Sequence, residues 1–243
     1  LAFPSANVSD RLEKTFTSVN FNMMIMIIYA LITIAIFGMW YYARYEGNFL
    51  PSPKKTFNPM MIVAIVILVP GTQFAANFIA NLTGYIRPDW LQQYNELFET
   101  SGITDTTFVT VLYSVILAPI CEELIFRGVT MRCARKALPF ALANLMQAAL
   151  FGLFHLNWIQ GIYAFALGIV LGYVCERGGS IYYSMGLHLL FNLWGTLSGF
   201  FPDPGNSVVV FVVVIVVTIV SLVAGFVLFN KGRRKLPINS TGI

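Results

Sequence analysis

Apolar runs near twenty residues long recur from one end of the chain to the other. They constrain the fold more than any other feature, because crossing ~30 Å of hydrocarbon takes about 20 such residues in one helix. Seven runs can be drawn: Phe21 to Ala43, Pro59 to Leu82, a third from about Thr106, Pro139 to Leu156, Ile159 to Cys175, Ser180 to Phe200 and Ser207 to Phe229. Trp40, Tyr41 and Tyr42 close the first as an interfacial aromatic belt. Pro70-Gly71 predicts a kink in the second. The third should continue through Arg132, Arg135 and Lys136 and break at Leu138-Pro139. Gly178-Gly179 and Pro202–Gly205 read as turns. Only 11% of the 243 residues are charged, against about 25% in a soluble domain. The expected fold is therefore an all-α, polytopic membrane helix bundle of about seven transmembrane helices, with the lipid bilayer as its partner and no surface for nucleic acid.

Seven spans place alternate loops on opposite sides. Eleven of the fifteen Lys and Arg then gather on one side (Arg44, Lys54, Lys55, Arg132, Arg135, Lys136, Arg177, Lys231, Arg233, Arg234 and Lys235). The other side holds Arg11, Lys14 and Arg87, and Arg127 stays within the membrane. The positive-inside rule predicts an external N-terminus and a cytoplasmic C-terminus. No cleavable signal peptide is read at the start of the chain. The organisation expected is residues 1–104 as two spans plus an interfacial helix, 105–200 as the core, and 201–243 as a last span with a basic tail. In the first part, Trp90, Leu91, Tyr94, Leu97 and Phe98 alternate at helical spacing with Gln92, Gln93, Asn95, Glu96 and Glu99. That pattern predicts an amphipathic surface helix, with a role as a lid left open. Cys121, Cys133 and Cys175 form no CxxC pair and predict no disulfide framework.

Chemistry is concentrated in Cys121-Glu122-Glu123-Leu124-Ile125-Phe126-Arg127. Ionisable groups at membrane depth cost roughly 2.5–3.5 kcal/mol each on insertion scales, so they mark function or tight pairing. Glu123 and Arg127 stack at i and i+4, whereas Glu122 points about 100° away. The expectation is that Glu123 neutralises Arg127 and leaves Glu122 to face another group. The two histidines, His155 and His188, both fall within apolar runs, and His188 shares a helix face with Asn192. If Leu138-Pro139 is a hairpin tip, Glu122 and His155 each lie ~24 Å from it at 1.5 Å per residue, and so at matching depth. A buried carboxylate can take a proton from water, a neutral imidazole can orient that water, and N–H donors can hold an oxyanion. Hydrolysis within the membrane fits this set.

Glu122-Glu123-x-x-x-Arg127, Phe151-x-x-x-His155 and His188-x-x-x-Asn192, in that order, resemble the three motifs of the CPBP family, which includes the Ras-converting CaaX endopeptidase and bacterial Abi bacteriocin-immunity proteins. The segment Gly168 to Ile181, with its Gly-x-x-x-Gly and Gly-Ser-Ile, is similar too. The resemblance spans about residues 105–200. It implies an intramembrane glutamic protease with Glu122 as general base, His155 assisting it, His188 and Asn192 forming the oxyanion site, and Glu123 and Arg127 in support. It also implies no cofactor, a peptide or membrane-anchored precursor of bacteriocin or signalling type as substrate, and a bacterial plasma membrane with the active site toward the cytoplasm.

Other readings remain beside this one. Two His and one carboxylate suffice for catalytic zinc, so His155, His188 and Glu122 would be its ligands in a zinc-dependent CaaX-type prenyl protease. A non-catalytic scaffold or immunity protein could use the same helices to bind a partner. A transporter is disfavoured, since no paired halves with broken helices are evident. Serine chemistry at Ser184-Met185-Gly186 lacks a Gly-x-Ser-Gly sequence. Neither the substrate nor the oligomeric state is legible in these residues.

Overall fold

The computed structural model describes residues 19–43, 58–101, 107–198 and 207–233. The Pro202–Gly205 turn and Arg11, Lys14, Arg44, Lys54, Lys55, Arg234 and Lys235 lie outside those residues. Among the described residues all regular structure is helical: α1 (Val19–Tyr41), α2 (Pro59–Ile86), α3 (Pro88–Ser101), α4 (Phe108–Ala134), α5 (Phe140–Phe154), α6 (Trp158–Gly178), α7 (Ile181–Ser198) and α8 (Val208–Gly232). Five of these, α1, α2, α4, α6 and α8, are long and apolar enough to cross a membrane. The chain is therefore an all-helical, multi-pass membrane bundle. α7, at 18 residues, is less apolar than those five. α5 has only 15 residues, which rise ~22 Å where ~30 Å of hydrocarbon must be crossed.

Side-chain contacts show which helix ends lie together. The Asn58 side chain donates to Gly232 O at 2.6 Å, and its backbone N–H reaches the Tyr183 hydroxyl at 2.9 Å. Arg135 pairs with Glu176 at 3.1 Å. The starts of α2 and α7 therefore share one end of the bundle with the end of α8, and the α4–α5 turn meets the end of α6. At the other end Trp90 of α3 stacks on Trp158 at 5.3 Å, so the amphipathic helix lies against the start of α6.

Pro70 sits within α2, as expected, and a neighbouring helix bridges the ladder at that point. The Ser221 hydroxyl accepts from Gly71 N at 2.9 Å and donates to the Ile67 carbonyl. One hydroxyl thus stands in the gap beside a residue that has no N–H of its own. Small residues bring α5 and α6 together: a Cβ on Gly152 would stand 2.5 Å from Gly161 O, and one on Gly168 3.1 Å from Ala148. At Gly172 a Cβ would collide with Asn144 Oδ1. Gly172→Ala should therefore destabilise the protein by about 1–3 kcal/mol, the usual cost of overpacking. Gly186→Ala, with no atom within 4 Å of the added carbon, should leave it unchanged; thermal unfolding in detergent reads both.

Candidate active site

α4 carries the glutamate pair, and its backbone departs from a plain α-helix. Thr107 caps it in a reciprocal bond with Thr110. Two wide-turn π segments follow, Leu112–Leu117 and Leu124–Met131, separated by Ala118–Glu123. The first has a cause in the sequence. Ser114 O would normally accept from the N–H four residues on, but Ala118 N–H turns back to Tyr113 O. The next residue is Pro119, which has no N–H to offer. Asn192 Nδ2 of α7 donates to this carbonyl at 2.8 Å. The amide assigned to an oxyanion thus spends one of its two hydrogens joining α7 to α4.

The second π segment starts just past the glutamates. Glu123 and Arg127 are fully buried, and Arg127 Nη1 donates to Glu123 Oε1 at 2.9 Å. Arg127 Nη2 donates to Gly168 O at 3.2 Å, and the guanidinium lies 4.5 Å over the Phe151 ring. A guanidinium keeps its charge in a protein, so Glu123 is the carboxylate that answers it. Glu123 Oε1 also lies 3.0 Å from His188 Nδ1. With that oxygen accepting, Nδ1 carries the hydrogen, and His188 presents Nε2 to Glu122. The gap from Nε2 to Glu122 Oε2 is 3.6 Å, and the Glu122 side chain remains 15% exposed.

His155 is next to last in the apolar run drawn from Pro139 to Leu156. It caps the short α5 and is followed by Leu156 at φ 53°, a left-handed conformation for a non-glycine residue. Its Nδ1 lies 2.8 Å from Phe151 O. A carbonyl can only accept, so Nδ1 holds the hydrogen of this contact and Nε2 is the nitrogen left to face the site. The rings of His155 and His188 stand edge-on to Phe151, at 5.0 Å and 5.7 Å. Glu122, Glu123, Arg127 and His188 thus touch directly, His155 joins them across Phe151, and Asn192 follows one turn beyond His188. Ser184, the residue of the serine reading, is buried and donates to Ile181 O.

Among the described residues no group of three His, Cys, Asp or Glu side chains is disposed to hold a metal ion.

Residues 104–194 match the family model of type II CAAX prenyl endopeptidases, Rce1-like. Over that segment the chain is similar to that family, the CPBP group to which its three motifs point. No curated protein and no solved structure matches the chain. The CPBP segment contains all six candidate residues and ends two positions past Asn192; α1, α2, α3 and α8 lie outside it.

Several parts of the site are not visible as motifs. Phe151 reads as packing in the sequence, yet it touches the guanidinium and both imidazoles. The Gly168 carbonyl also accepts from Gln147 Nε2 at 2.9 Å, and Gln147 is fully buried. Pro119 was the one available signal that a carbonyl of α4 would need a donor from elsewhere. Two expectations follow. Arg127→Met should cost about 3–5 kcal/mol by stranding the Glu123 charge, and R127M/E123L should recover part of it, as read by unfolding in detergent. Asn192→Leu should cost about 1–3 kcal/mol by baring Ser114 O, and Pro119→Ala, which restores an N–H, should shrink that cost in a double-mutant cycle.

Proposed function

We propose that this chain is an intramembrane endopeptidase in which Glu122 activates water. The observation that carries the reading is the position of His188, bonded to Glu123 through Nδ1 and facing Glu122 through Nε2. With both glutamates ionised, Arg127 and a protonated His188 make the four-group cluster neutral.

In the proposed reaction Glu122 takes a proton from water as the water oxygen bonds to the substrate carbonyl carbon. His155 Nε2 accepts a hydrogen bond from the same water and orients it. The carbonyl oxygen becomes an oxyanion, held by His188 Nε2–H and by the Asn192 Nδ2 hydrogen that Ser114 does not use. Collapse breaks the C–N bond, and Glu122 returns its proton to the departing amine. Water and one peptide bond thus give one carboxyl and one amine, with Glu122 restored. No step calls on a metal.

The substrate in this reading is a peptide or a membrane-anchored precursor. The family model's description names prenylated proteins, whereas the bacterial resemblance favours unmodified bacteriocin or signalling peptides; both classes belong in the test. Purified protein in detergent should cleave one of them. Glu122→Gln keeps the shape of the side chain but cannot take the proton, so it should lose about 10²–10⁴-fold in rate, as removal of a general base does. His155→Ala should fall with it, and a chelator should leave the wild type active. Loss of activity with chelator would return zinc, and function retained by Glu122→Gln would favour the scaffold.

A further inference from the structure

One polar side chain of α2 has no role in the site described above. Gln73 is buried, only 7% exposed, inside a membrane span, and its Oε1 has no hydrogen-bond partner. Its Nε2 reaches Asn77 Oδ1 at 3.2 Å. Asn77 and Asn81 follow on the same face at i+4 and i+8, both exposed, with Asn81 Nδ2 donating to Asn77 O at 2.9 Å. An exposed amide in a span, and a buried acceptor left bare, are each costly where no water competes.

The residue facing Gln73 is Gly195 of α7. A Cβ there would stand 3.9 Å from Gln73 Nε2 and 4.0 Å from Oε1, with nothing nearer, and Gly195 itself is exposed. The missing side chain leaves room for a small group in ordinary contact with the amide. An edge contact between Phe74 and Trp194, 6.1 Å between ring centres, holds the two helices alongside each other. Gly195 is seven residues past His188, which puts it on nearly the same face of α7 and ~10 Å further along the axis.

A peptide must be unwound to be cut, and its main-chain N–H and C=O groups then lose their helical partners inside the membrane. Extended chain advances ~3.3 Å per residue, so ~10 Å corresponds to about three residues. We propose that Gln73 is a subsite for the main chain of an extended peptide, about three residues from the bond that is cut. Its Oε1 accepts a substrate N–H in the space beside Gly195, and Asn77 and Asn81 continue the track along α2. The inference rests on the endopeptidase reading. It lies outside the matched segment, and it names the feature recognised as backbone rather than a particular sequence.

The test separates occupancy from cleavage. In full-length protein carrying C133S, which removes the exposed thiol, Gly195→Cys places a thiol in the space. Its labelling by a small methanethiosulfonate is timed with and without a short peptide ending in S-farnesyl-Cys-aliphatic-aliphatic-Met, and with an unprenylated copy. One of the two peptides should slow labelling about tenfold at saturation, and adding Gln73→Leu should weaken that peptide's apparent affinity about tenfold, the worth of one hydrogen bond to a buried acceptor. Cleavage of the same peptides by wild type is followed in parallel. Gln73→Leu without the cysteine should raise KM with kcat unchanged, a split that a merely structural residue would not give. A thiol that does not label, labelling that neither peptide slows, or protection that ignores Gln73→Leu overturns the subsite. Protection without cleavage keeps the subsite and refutes the endopeptidase reading.

Discussion

The centre of this bundle depends on one buried ion pair. Arg127 and Glu123 have no solvent exposure, and removing either partner strands a charge at a cost of about 3–5 kcal/mol. Part of its remaining hydrogen-bonding capacity is used across helices, while Glu123 Oε2 and Arg127 Nε are buried with no hydrogen-bond partner. Arg127 reaches Gly168 on α6, and Glu123 reaches His188 on α7. Three helices are thereby fixed about one ion pair, and the His188 ring is held through Nδ1 so that Nε2 faces Glu122. Removing the guanidinium would loosen the fold and the chemistry together.

Backbone satisfaction is the second constraint, and the two intrahelical prolines answer it alike. Pro119 and Pro70 each withdraw an N–H from a helix ladder that has no water to turn to. Beside each proline a small polar side chain from another helix bonds the backbone: Asn192 donates to Ser114 O, and Ser221 fills the rung next to Pro70, between Gly71 N–H and Ile67 O. These side chains report on proline positions elsewhere in the chain. That is why Asn192 is ambiguous from sequence: a membrane Asn that bonds a neighbouring helix and one that faces a substrate look the same until the proline is considered.

Much of the architecture was legible because hydrophobic period and length carry it. The run boundaries at Pro59, Pro139 and Gly178-Gly179 coincide with helix ends, and the amphipathic pattern from Trp90 is a helix against Trp158. The Glu123–Arg127 stack follows from helical spacing alone. The position of His155 at the end of its apolar run was legible too, and α5 ends one residue before it. The partners of Phe151, Gln147 and Gln73 were not legible at all. They depend on how α4, α5, α6, α2 and α7 face one another, which no local period encodes.

The shortness of α5 also acts on the surrounding lipid. Its outer face carries Leu142, Leu145, Leu150 and Leu153, all exposed, yet its apolar length falls several ångströms below an average bilayer. Lipid next to it must thin or tilt to meet the helix, at a fraction of a kcal/mol per ångström of mismatch. Headgroups and water are therefore drawn inward on the flank where His155 ends the helix. A helix too short to cross thus sets the local boundary between oil and water on the flank of the bundle where His155 lies.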